Sequence, residues 1–220
     1  MKTLSLLSIA SAAIMANVAL ANIRITEVMS SSSGSGTPTP DFFELTNYGS
    51  SAITLTGWKM DDNSFGIGTA VALSGITSIA AGESVIFMES AAGAAITSFR
   101  SFWGGLVGVQ VGYYSGSGVG LSSAGDGVEI FNSVGTEVTR VSFGAATSGS
   151  SFFWGYDSAT GVVDSSYNGL VSTVGTIGSQ VTFQSSGDTG SIGTAIINAP
   201  TPGALALLGV ASLLNGRRRR

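Results

Sequence analysis

Ile23 and Ile25 alternate with Arg24 and Thr26, the period-two signature of a strand buried on one face. A Ser, Gly and Pro-rich run over residues 29–40 follows and reads as a loop. Alternation then resumes, predicting one strand over residues 42–46 and a second over 53–59, joined by a turn at 47–51. In the second of these Trp58 is spaced with Leu55 and Met60, which predicts a large central core side chain. Val85 and Phe87 fall on one face of the next segment and Ile86 and Met88 on the other, the pattern of a strand covered on both sides. Residues 128–131 and 137–143 form the arms of a hairpin that turns at Ser133, Val134 and Gly135. Short strands divided by Gly, Ser, Asn and Asp turns predict an all-β fold of two packed antiparallel sheets. Residues 98–120 are longer and richer in Gly than such a pattern needs, and the strand order there stays open.

Composition narrows this picture. A chain of 220 residues with 44% hydrophobic content, 32 Gly and 10% charged residues suits one domain with a sizeable core and few surface helices. Cysteine and histidine are both absent, which closes disulfides, thiolate nucleophiles, zinc sites of the usual ligand set and Ser-His or Cys-His relays. No catalytic residue and no cofactor is expected.

The order of signals adds a resemblance. Glu44-Leu45-Thr46-Asn47 precedes Leu55-Thr56-Gly57-Trp58, an Ala81-Gly82-Glu83 turn precedes the strand at Val85, and Gly125-Asp126-Gly127 opens the last hairpin. Over about residues 23–150 this resembles the lamin-tail domain, and the resemblance implies an immunoglobulin-like antiparallel β-sandwich. Residues 151–199 read as a Gly and Ser-rich extension and linker, in which Phe152, Phe153 and Trp154 would cap the sandwich. The sandwich itself is expected over 22–150.

The two ends read as addresses. Lys2, an uncharged apolar run from residue 4 to about 20, and the small residues Ala19 and Ala21 predict a signal peptide over 1–21, cut by signal peptidase after Ala21. At the other end Pro200, Thr201, Pro202 and Gly203 open an apolar run of about a dozen residues that closes on Arg217, Arg218, Arg219 and Arg220. That run is short for a bilayer span of roughly twenty residues, and the arginines hold its end on the cytoplasmic side. Residues 200–220 resemble the PEP-CTERM class of bacterial sorting signals, with Thr201 standing where that class has Glu. The resemblance implies a short transmembrane sorting helix, removal by an exosortase-type protease, and delivery to the outer surface or extracellular matrix, with exopolysaccharide among the expected partners. The membrane is then touched only transiently. Between residues 22 and 199 four basic residues face thirteen acidic ones, a formal charge of −9, which argues against nucleic acid as a partner.

Three chemistries remain to weigh. Trp103, Tyr113 and Tyr114 lie in the Gly-rich stretch and are candidate stacking platforms for a carbohydrate, against ordinary packing. Asp61, Asp62 and Asn63 offer oxygens to calcium, although they lack the alternating spacing and distal Glu of a dedicated loop, and an Asp/Asn-stabilised turn is the competing reading. Glu27 and Glu44 fall on neighbouring predicted strands and could face each other, a geometry that glycosidases use, although no cleft is signalled and paired strand-end acids are more often solvated or bonded to turn amides. The chain is therefore read as an exported, noncatalytic surface or matrix protein for adhesion, scaffolding or exopolysaccharide-associated structure, with a carbohydrate-binding or calcium-dependent recognition module as the alternative.

Overall fold

The computed structural model describes residues 23–33, 40–157, 163–170, 175–177, 180–185, 187–195 and 197–198. Along the chain run β1 (Ile23–Met29), β2 (Phe42–Asn47), β3 (Ile53–Thr54), β4 (Lys59–Asp61), β5 (Val71–Ala72), β6 (Ser78–Ile79) and β7 (Ser84–Glu89). A 3-10 turn, Gly93–Ala95, leads into α1 (Ile96–Phe102), followed by β8 (Gln110–Tyr114), β9 (Asp126–Phe131), β10 (Glu137–Phe143) and β11 (Phe152–Asp157). Then come β12 (Val163–Leu170), β13 (Gly175–Ile177), β14 (Gln180–Ser185), β15 (Asp188–Gly190) and β16 (Ile197–Asn198).

The main sheet has the order β12-β11-β1-β2-β7-β8, with β16 pairing parallel to β11. Its pairs are otherwise antiparallel except β7 with β8. A second sheet, β10-β9-β4-β5, lies against one face. Between them Ile23, Ile25, Val28, Phe43, Leu45, Val85 and Phe87 of the main sheet meet Trp58, Met60, Val128, Ile130, Val141 and Phe143. This is the immunoglobulin-like sandwich core, and Phe43 stacks in it between Phe87 and Tyr114 with ring centroids 5.6 Å and 5.3 Å away.

The opposite face of the main sheet is covered as well. Met29, Phe42, Ile86 and Met88 pack there against Phe99, Trp103, Leu106, Val111 and Ile192. Two covered faces explain why β7 reads as a near-continuous apolar run, and why Val85 and Phe87 separate from Ile86 and Met88 as the pattern predicts. The outer layer is where the sequence reading needs correction. Residues 96–102 form a helix, because Ile96, Phe99 and Trp103 recur at spacings of three and four and put one apolar stripe on the sheet. A stripe this short is hidden among glycines.

The strand expected over 53–59 is also broken. Trp58 N–H donates to the Leu55 carbonyl at 2.9 Å, Gly57 adopts φ +80°, and the chain passes from β3, paired with β6, to β4 in the second sheet. The turn still delivers Leu55 and Trp58 to the core, Trp58 being 5% exposed. Gly57 is the residue that tolerates this conformation without strain. The hairpin of β9 and β10 turns where expected, with Asn132 Oδ1 accepting from the amides of Val134 and Thr136.

The segment after residue 150 is more than an extension. β11 pairs with β1 through Glu27 opposite Phe153 and Val28 opposite Phe152, placing it inside the main sheet. Residues 187–195 then return to the sheet's outer layer, where Ile192 joins the second core cluster.

Candidate functional site

A β-bulge decides where the carboxylates point. The register of β1 on β2 shifts between Ile25 and Glu27, and the extra residue turns Glu27 to the face that Met29 occupies, beneath α1 and residues 187–195. Glu44 lies directly opposite Glu27 in the register and on that same face, between Phe42 and Thr46. Both side chains are fully buried.

Neutral donors surround the pair. Glu27 Oε1 accepts from Ser151 Oγ at 2.5 Å and from the Ser191 amide at 2.8 Å, and Oε2 accepts from Ser191 Oγ at 2.9 Å. Glu44 Oε1 accepts from Thr26 Oγ1 at 2.6 Å and Oε2 from the Gly193 amide at 2.6 Å. A hydroxyl relay continues from Thr26 to Thr46 at 2.8 Å and on to Ser84 at 2.6 Å. Burial pushes Glu27 up to about 7, its hydrogen bonds opposing the shift only in part. Burial first, and the charge of Glu27 second, hold Glu44 well above the usual carboxylate range. Two such groups opposite each other in a dry layer cannot both ionise without strong mutual repulsion.

The pair is brought together as the sequence implied, but its setting differs from an active site. Catalysis by two carboxyls requires a substrate between them, and here the space above them is filled by Gly190, Ser191 and Gly193. Ser151, Ser191 and Gly193 carried no signal in the sequence, lying 124 to 164 residues from Glu27 or 149 from Glu44.

The aromatic candidates separate by burial. Trp103 is 4% exposed and packs edge-on against Phe42 at 6.1 Å, and Tyr114 is 0% exposed beside Phe43. A stacking platform needs a ring face in solvent, so these two serve as core. Tyr113 is half-buried, on the second cluster's margin and bridged through its backbone to Ser74.

Asp61, Asp62 and Asn63 build a turn. Asp61 Oδ2 accepts from Ser64 Oγ at 2.6 Å and from the Gly66 amide at 2.7 Å, while Asp62 Oδ1 accepts from the Ser64 amide at 3.0 Å. The Asn63 amide is tied to Asp126 Oδ1 at 3.1 Å. Asp61 Oδ1 is buried without a hydrogen-bond partner, as is Glu129 Oε2 on the neighbouring strand. Among the described residues no group of three or more His, Cys, Asp and Glu is placed to hold a metal ion.

The cleavage residues Ala19 and Ala21 lie outside the described residues, as do Pro200, Thr201, Pro202, Gly203 and Arg217, Arg218, Arg219 and Arg220. Among those described, no helix is long and apolar enough to cross a membrane.

Comparison with known proteins gives one family. The family model described as Lamin Tail Domain matches residues 17–145, more than half of the chain. Its match ends two residues after β10, before β11, which joins the main sheet, and before residues 187–195 of the outer layer. No curated protein matches the sequence.

Proposed function

The chain belongs to the lamin tail domain family, and from that footing we propose that it is a noncatalytic protein exported by a bacterium to the cell surface or extracellular matrix. There it serves adhesion, scaffolding or exopolysaccharide-associated structure. The observation that carries this reading is the pair of address-like ends: an apolar leader closing on Ala19 and Ala21, and a Pro-bracketed apolar tail closing on four arginines. Signal peptidase removes the first, and an exosortase-type protease of the PEP-CTERM kind removes the second. The tail touches the membrane only until it is cut.

The site geometry supports the absence of catalysis. The facing carboxyls are covered by main chain, and two of the three aromatic rings that would stack on a sugar are engaged in packing. The acidic composition, with four basic residues outside the two ends, suits a solvated surface better than a polyanion-binding one.

Fractionation combined with mass spectrometry of both termini tests the proposal. The expected result is an extracellular or surface-bound chain that begins at Asn22 and lacks Arg217 to Arg220. Recovery of the full chain from the cytoplasm, with both ends attached, would overturn it.

A further inference from the structure

The outer layer closes with a segment fastened from below. Residues 187–195 lie over the main sheet, with Ile192 in the cluster of Met29, Phe42, Phe99 and Trp103. Gly190 sits under the Trp103 ring, and Gly193 lies against Val109. The fasteners are the Ser191 amide and hydroxyl on Glu27 and the Gly193 amide on Glu44. At the segment's start Asp188 Oδ1 accepts from the Ser33 amide at 2.6 Å, and Thr189 bridges to Gly149 and Ser151 through the backbone.

We propose that residues 187–195 form a pH-released latch, closed over the apolar layer beneath α1 while the glutamate pair retains a proton and freed as that proton leaves. The argument rests on register and cover. Two carboxyls stand opposite each other on adjacent strands, both fully buried, and the groups donating to them are neutral hydroxyls and amides. Two anions there repel across one cross-strand step, shut off from solvent by burial. Lifting the segment would admit water from the outer side, the rest of the cover being the sheet itself, Ser151 and the Trp103 ring over Gly190.

Among the described residues the basic side chains near the pair are engaged elsewhere. On β1, Arg24 lies over the Tyr156 ring at 5.9 Å and donates to the Ile23 carbonyl. On the helix side Arg100 donates to the carbonyls of Leu106 and Val109. Tyr48, which follows β2, and Tyr156 of β11 are both pushed upward by burial, so both stay neutral through the range that matters. Asp41 and Asp188 flank the segment's start, and Asp41 is itself pushed up to about 7 by burial, with Glu89 and Asp188 adding to it.

The direction is set by linkage. The closed form binds the proton and the open form, with its carboxyls in water, releases it above the ordinary value near 4.5. Rising pH therefore opens the latch between that value and about 7, and Glu44 extends the range upward.

Native-state hydrogen exchange on the full chain reads this at the Ser191 and Gly193 amides, corrected for intrinsic exchange. Their opening constants are expected to rise by up to about a hundredfold per pH unit between about pH 5 and 7, a factor of about ten for each of the two carboxyls that releases a proton on opening, while core amides of β2 and β7 change less. Glu44→Gln keeps the size of the side chain and removes the second charge, so the slope should flatten with core protection retained. Asp41→Asn serves as the control for the neighbouring acid and should leave the slope in place. If Glu44→Gln fails to fold, Ser191→Ala takes its place: it deletes one fastener and should raise opening at pH 5 to the level seen at higher pH. An absence of slope in the natural chain, a slope unchanged by Glu44→Gln, or a slope abolished by Asp41→Asn would overturn the latch. The outcome is independent of where the protein is delivered.

Discussion

Asn47 ends β2 with a side chain that no other residue type replaces. Its Nδ2 donates to the carbonyls of Ser51, Ile79 and Ala80, and its Oδ1 accepts from the Gly49 amide at 2.9 Å. One amide group thus ties the end of β2 to the turn after it and to β6. Asn47→Ala should lower stability by about 1–3 kcal/mol, because three carbonyls, one in a buried bond and two in part-buried ones, lose a donor at once. Asn47→Asp should be at least as harmful, since an ionised carboxylate cannot donate; a urea midpoint for the Asn47→Asp variant close to that of the natural chain would refute this account. Gly112 carries a different constraint. A Cβ at Gly112 would strike the Ser74 carbonyl, which belongs to the backbone bridge holding β8, and the Phe87 ring 2.8 Å away. Gly112→Ala should therefore cost about 1–3 kcal/mol by overpacking, read as a lower midpoint in chemical denaturation with an unchanged slope.

At the scale of elements, the sequence was legible where burial is one-dimensional. Alternation over residues 85–88 announced a strand with two covered faces, and β7 feeds both core clusters. The hairpin of β9 and β10 was legible because its turn chemistry is local. Two features escaped for physical reasons. The Leu55-to-Trp58 turn keeps both side chains in the core, so its apolar pattern looks like continuous strand. The stripe of α1 is only two turns long, too brief for a period to stand out. The facing of Glu27 and Glu44 was legible from strand order, but their burial was not, because the covering atoms come from residues 151 and 187–195. This has a testable consequence for β11 and residues 187–195, which lie beyond the family match. A chain cut after residue 150 would leave β1 an open edge, remove Ile192 from the outer cluster and uncover both glutamates. The truncated protein is expected to lose cooperative unfolding and to aggregate; a sharp thermal transition with dispersed amide resonances would show that the first 150 residues suffice.

For the whole molecule, the formal charge of −9 between residues 22 and 199 overstates what the folded protein carries. Of the eleven acids whose side chains are described, six, Glu27, Glu44, Asp61, Asp126, Glu129 and Asp188, are buried. Burial pushes Glu27 and Asp41 up to about 7, burial and the Glu137 carboxyl push Glu129 there too, and Glu44 and Glu89 rise as well. Each of these groups binds its proton more tightly folded than unfolded. Their contribution is complete below the ordinary carboxyl range and disappears as pH climbs through the folded values near 7. The Arg140–Glu137 ion pair, at 3.5 Å and largely exposed, offers little on the other side of the balance. Stability is therefore expected to peak in mild acid and to fall between about pH 5 and 8, Glu27 alone accounting for something on the order of 3 kcal/mol if its full shift is realised. Calorimetric unfolding at about pH 6, in two buffers of different ionisation enthalpy, should show protons released on unfolding, because the unfolded carboxyls ionise where the folded ones do not. A denaturation midpoint that instead rose from about pH 5 to pH 8, with proton uptake on unfolding, would mean that these acids are held as anions and that burial does not set their protonation.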